Sequence, residues 1–138
     1  MNHVTRTTLP LALAALMAGS GAQALEPLGQ NKYVVDRLVA ARVADRIRRT
    51  CPDEIGARMV YAFNQAYALQ SWAVGQGYPR AEIKRFIKDK TEKRKVYDTA
   101  EKYLAANGAK GSDAAGYCAL GKKEIAAGSI AGSLIYEK

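Results

Sequence analysis

A chain of 138 residues with 21 Lys and Arg against 13 Asp and Glu carries a formal charge of +8 and a single histidine, His3. That histidine stands in a leader-like segment, and without it the chain has no imidazole. This excludes Ser-His-Asp and Cys-His catalysis, histidine metal sites and haem attachment through Cys-x-x-Cys-His. With two cysteines, no phosphate loop and no glycine fingerprint after a strand, the residues point away from an enzyme, a metal or a cofactor and toward binding.

The chain opens with Met1 to Thr8, which holds one basic side chain, Arg6, and no acid. An apolar, small-residue run from Leu9 to Gly21 follows, and Ala22-Gln23-Ala24 places small residues where a signal peptidase needs them. The expected division is a cleavable signal peptide over 1–24 and one helical domain over 25–138. A membrane anchor would need roughly 18 or more consecutive apolar residues, and this run, with Pro10 inside it, is shorter. No cysteine follows the cut to take a lipid, and there is no twin-arginine pair, so the expected location is periplasmic or secreted. Cleavage leaves 114 residues with a net charge near +7. Such a balance suits anionic lipid head groups, acidic glycans or an acidic protein, with nucleic acid disfavoured outside the cytoplasm; it also serves solubility alone.

In an oxidising compartment two cysteines are read as one bridge, here Cys51 to Cys118. The loop it would close is long, and the chain-entropy account gives an upper-range stabilisation of about 4 kcal/mol.

The elements read as helical almost throughout. Asn31 to Thr50 places Val35, Leu38, Val39, Val43 and Ile47 on one side at helical period, with arginines in the late turns and Pro52 beyond the end. Pro52-Asp53-Glu54 has the order of a helix start, predicting a second helix that buries Ile55, Met59, Ala62, Phe63, Ala66 and Leu69 and ends at Gly75 and Gly77. Read that way, Asp53 and Glu54 are partners of the helix dipole. A carboxylate pair for hydrolysis is the weaker reading. A third helix follows Pro79 with Ile83, Phe86 and Ile87 as its buried side, and Trp72 anchors the second. A fourth runs from about Lys90 through Val96, Ala100, Tyr103 and Leu104 to Asn107-Gly108. Asp113 can cap a fifth, and no strand signal competes with these.

Two features stand out as binding candidates. Arg80 to Lys95 holds eight basic residues against three acids, and Arg80, Lys84, Arg85, Lys88, Lys93 and Arg94 form a candidate face for anions or a partner, flanked by Tyr78 and Tyr97. The alternative is a merely solvated face. The fifth helix, expected to continue through Ile135, carries Gly116, Gly121, Gly128 and Gly132, each costing about 1 kcal/mol relative to alanine in a helix interior. Close helix packing would offset that cost, and Gly121, Ile125, Gly128 and Gly132 form the candidate groove. The Gly128-x-x-x-Gly132 spacing also matches membrane helix pairs, but Lys122-Lys123-Glu124 interrupts the apolar run, which favours a soluble central helix.

Ala24-Leu25-Glu26-Pro27-Leu28, Asp36-Arg37-Leu38-Val39-Ala40, Thr50-Cys51-Pro52, Gly77-Tyr78, Tyr117-Cys118 and Glu124 to Ser129 together resemble a family of small exported alphaproteobacterial proteins catalogued as a domain of unknown function. The resemblance spans nearly the whole chain after the leader and carries no catalytic residue, ligand or cofactor. Through neighbouring genes for respiratory NADH:quinone oxidoreductase it implies an accessory or assembly role. The expected fold is an all-α, compact bundle of about five helices closed by the Cys51 to Cys118 disulfide. The expected function is a non-enzymatic interaction or accessory role in the periplasm, with adhesion to anionic lipid or glycan as the alternative.

Overall fold

A computed structural model describes residues 24–138; His3 and the segment expected to be a leader, up to residue 23, lie outside the described residues. Helix α1 (Lys32–Thr50) starts at Asn31, whose side chain accepts the Val34 N–H at 3.2 Å and so satisfies one of the free donors at the helix start. Arg48 and Arg49 occupy its last turn, where cations oppose the negative end of the helix dipole. The helix is long enough to serve two cores. Val34 belongs to one, while Val43, Ala44 and Ile47 belong to the other.

The larger core lies between the second half of α1 and α4 (Lys90–Ala106), α5 (Ala114–Ala127) and the short α6 (Ile130–Ser133). Val43, Ile47, Cys51, Ile55, Leu104, Tyr117 and Ile135 are its largest fully buried side chains. The smaller core gathers Leu28, Val34, Ala73, Tyr78 and Ile83, joining the N-terminal loop and the first half of α1 to α2 (Met59–Gly75) and α3 (Arg80–Lys88). The buried Tyr78 hydroxyl donates to the Glu26 carbonyl at 2.6 Å, tying the start of the described chain into this core. Asp89 both ends α3 and begins α4, accepting from the Thr91 and Glu92 N–H groups at 2.8 and 3.0 Å.

The helical expectation holds, and the disulfide with it. Cys51 closes α1, its N–H donating to the Ile47 carbonyl at 2.8 Å, and bonds to Cys118 on α5 across 67 residues with the Cα atoms 5.3 Å apart. No free cysteine remains.

Two departures concern the ends of predicted helices. Pro52-Asp53-Glu54 does not open a helix. It forms a turn into strand β1 (Ile55–Ala57), which pairs antiparallel with β2 (Ile135–Glu137) in the register Ile55 opposite Glu137, Gly56 opposite Tyr136 and Ala57 opposite Ile135. The Arg58 N–H to the Leu134 carbonyl and the Lys138 N–H to the Glu54 carbonyl, both 2.9 Å, extend the ladder at its two ends. A three-residue strand whose partner lies at the far end of the chain leaves no local periodicity to read.

The fifth helix likewise stops short of Ile135. Gly128 adopts φ +60° and ends α5 in the left-handed conformation, and Ser129 then caps α6 by accepting the Gly132 N–H at 2.9 Å. The described residues therefore hold six helices where five were expected.

Candidate interaction surface

From Met59 to Pro79 the chain has no charged residue, and most of that stretch is α2. Alanines at 62, 66, 68 and 73 favour a helix, and Gly77, at φ +100°, turns the chain out of it. A helix this apolar is ordinarily buried. Here its far half packs, with Ala73 buried and Leu69, Trp72 and Val74 against the smaller core, while the near half is held to the larger core through Ala62. The ring of Trp72 stacks on Tyr33 of α1 with centroids 4.3 Å apart, and the Arg37 guanidinium covers the other side of that stack at 3.3 Å from the Tyr33 centroid.

The near half of α2 presents Val60, Phe63 and Tyr67 to solvent at 76, 68 and 75% exposure. Their spacing of i, i+3 and i+7 puts them on one stripe. Of the apolar residues expected to line the buried side of this helix, Met59, Phe63 and Ala66 are therefore exposed, and Ala62 and Leu69 only half-buried. Apolar residues occur all round this helix and no charge marks the wet side, so periodicity had no contrast to work with. Continued by one and two further turns, the stripe reaches Gln70 and Val74, which line a hollow with Arg80, Ile83, Lys84, Ile87 and Lys88 of α3.

The structure thus divides the basic run. Arg80, Lys84 and Lys88 stand beside α2. Lys93 lines a separate groove with Leu38, Arg42, Asp45 and Tyr97 between α1 and α4, and Arg85 and Arg94 line neither. All six are exposed. Of the two flanking tyrosines, Tyr78 is buried and Tyr97 lies with its ring 4.1 Å beneath the Arg42 guanidinium. A network of opposite charge fixes that side of the bundle: Arg46 is 2.9 Å from Glu101 on α4 and also donates to the Tyr117 hydroxyl at 2.9 Å.

The glycine groove is divided as well. Gly121 packs on Ile47 and Ile55 in the larger core, and Gly132 lies against the Glu124 backbone, so close approach accounts for both. Gly128 has nothing within 4 Å of where a Cβ would stand; its left-handed backbone accounts for it instead. Ile125, Gly128 and Gly132 do share an open concavity with Arg58, Met59, Val60 and Tyr61 at the start of α2, which Gly121 does not join.

The family of unknown function DUF5333 matches residues 26–136. The chain belongs to this family. No curated protein and no solved structure matches it. Membership supplies no reacting group, and the remaining ionisable clusters are occupied structurally. Glu124 is the one buried charged side chain among the described residues, and it accepts from the hydroxyls of Tyr103 and Ser129. The hydrogen bond to Glu124, reinforced by partial burial, pushes the Tyr103 hydroxyl up to about 12.

Asp53 and Glu54 lie exposed on the turn before β1. Glu54 pairs with Lys122 at 2.5 Å, and that hydrogen bond raises the Lys122 pKa. Glu54 also approaches the sulfurs of Cys51 and Cys118, the one trio of metal-ligand type among the described residues. Both sulfurs are committed to the disulfide and offer no thiolate. No helix among the described residues is long and apolar enough to cross a membrane.

Proposed function

We propose that this protein is exported and acts by binding, as an accessory protein whose docking surface is the outer stripe of α2 with the neighbouring cations of α3. The observation that carries the reading is the exposure of Val60, Phe63 and Tyr67 together on one charge-free helix. Large apolar side chains grouped on a surface cost solvation in the free protein, and such patches mark interaction sites. The leader-like start and the disulfide support export, because bridges persist in oxidising compartments. The family resemblance suggests a partner at a respiratory membrane complex.

A second reading, adhesion to anionic lipid or glycan, is favoured by the exposed cations of α3 and α4, Arg80, Lys84, Arg85, Lys88, Lys93 and Arg94 among them. Salt separates the two, since charge-driven adhesion fades with ionic strength and apolar contact does not. The test is co-sedimentation of the folded protein with envelope fractions at low and moderate salt, comparing the parent with Val60→Gln/Phe63→Gln/Tyr67→Gln. The accessory reading expects salt-resistant retention that the triple variant loses while keeping its helical content. Equal retention of parent and variant at moderate salt would overturn it.

A further inference from the structure

Between α1, α2 and α3, on the flank of α2 next to its outer stripe, lies a hollow of about 240 Å³ lined by Leu28, Val34, Leu38, Leu69, Ile83 and Phe86, with Ala66, Ala73, Gln70 and Ile87 completing it. Gln70 is its one polar side chain. It shares Gln70, Ile83 and Ile87 with the hollow of about 250 Å³ that Arg80, Lys84 and Lys88 line. No carboxylate lines either space. Those three cations stand at i, i+4 and i+8 on α3, one above another along the helix, and take part in no ion pair among the described residues.

An apolar slot bordered, across Gln70, Ile83 and Ile87, by a cluster of uncompensated positive charge has the two-part chemistry of an amphiphile. We propose that the space between α1, α2 and α3 takes the alkyl chain of a single-chain anionic amphiphile, whose carboxylate or phosphate head sits among Arg80, Lys84 and Lys88. Burying the chain in the slot removes apolar surface from water, and the head gains charge-assisted hydrogen bonds. A hollow of this volume between helices, lined almost wholly by aliphatic side chains and Phe86, suits a linear alkyl chain. This assignment shares Gln70 and the cations of α3 with the proposed docking surface but uses none of Val60, Phe63 and Tyr67.

The test is calorimetric titration of the disulfide-intact protein with decanoate and decyl phosphate below their micelle concentrations, with decanol and acetate as the chain without charge and the charge without chain. Both anions should bind at one site, decanol about tenfold or more weaker, the effect of losing a charge-assisted contact, and acetate not measurably. Tighter binding of decyl phosphate assigns a lysophospholipid-type head and tighter binding of decanoate a fatty acid; either supports the site. Lys84→Gln/Lys88→Gln should reduce the anions to the affinity of decanol.

Ala66→Phe, which fills the slot, and Ile87→Asn, at a half-exposed position where the fold tolerates change, should each weaken all chain ligands about tenfold. The Val60→Gln/Phe63→Gln/Tyr67→Gln variant should bind them as the parent does, so failure of the outer surface and failure of this site are told apart. Absence of binding by both anions, decanol equal to decanoate, or affinities unmoved by both slot variants would each overturn the proposal.

Discussion

The Cα of Gly132 in α6 lies against the backbone carbonyl of Glu124 in α5 so closely that a Cβ on it would overlap that oxygen. Gly132→Ala must therefore move α6 away from α5, and overpacking of this kind costs about 1–3 kcal/mol. Gly128 offers the contrast, since space around it is open and only its φ of +60° excludes a side chain. Gly128→Ala should cost about 1–2 kcal/mol from backbone strain, and Gly128→Asn noticeably less, because asparagine tolerates the left-handed region. Urea unfolding of the three variants checks this. Equal loss for Gly128→Asn and Gly128→Ala would show that packing, not φ, governs Gly128.

The disulfide joins the end of α1 to α5 around a 67-residue loop, with Cys51 buried in the larger core. Closing a loop of that length restricts the unfolded chain by an upper-range figure of about 4 kcal/mol. Cys51→Ala/Cys118→Ala should lose much of that and keep the same helices, because Tyr117, Leu120 and Ile47 still pack. Chemical denaturation followed by circular dichroism reads both quantities. A variant as stable as the oxidised parent would remove the bridge from any account of stability.

The helices were legible because their ends carry chemistry. Asn31, Asp89 and Asp113 each accept a backbone N–H at a helix start, and the apolar residues of α1 and α4 recur at helical period beside charged ones. The exposed face of α2 was not legible. Phe63 has the spacing of a buried stripe with Ala66, and only the tertiary arrangement, in which α1 and α3 engage the far half of α2, leaves it outside. The groove assigned to one continuous helix failed for a local reason: Gly128 is equally consistent with close packing and with a left-handed turn, and the Ser129 cap decides for the turn. The basic run was read correctly as exposed, yet its division between two hollows, with Arg85 and Arg94 lining neither, depends on where α3 turns into α4 at Asp89.

Tyr103 gives a pH dependence whose sign follows from its raised pKa. Its hydroxyl donates to Glu124 only while protonated, and the folded value of about 12 lies above the ordinary 10.0. The stabilisation is fully present below pH 10.0 and is lost as pH rises through about 12. The ring is 40% exposed, so solvent screening keeps the effect small. Tyr103→Phe should lower stability at neutral pH and flatten the alkaline decline. Thermal melts between pH 8 and pH 12 that fall equally in parent and variant would assign the alkaline loss to other groups.

The division of the basic run makes the last prediction. Arg80, Lys84 and Lys88 flank the α2 side of α3, whereas Arg85 and Arg94 line neither of the adjoining hollows. Replacing either set by glutamine should leave helical content unchanged, because all five are exposed and surface substitutions rarely shift stability by more than about 0.5 kcal/mol. If the cations of α3 assist docking of the neighbouring stripe, Arg80→Gln/Lys84→Gln/Lys88→Gln should reduce envelope co-sedimentation, most strongly at low salt, where charge acts over the longest range. Arg85→Gln/Arg94→Gln should have a much smaller effect, although it removes charge from the same stretch of sequence. Equal losses from the two sets, scaled to the charge removed, would mean that net charge alone attracts the protein and that the stripe of Val60, Phe63 and Tyr67 confers no direction on the contact.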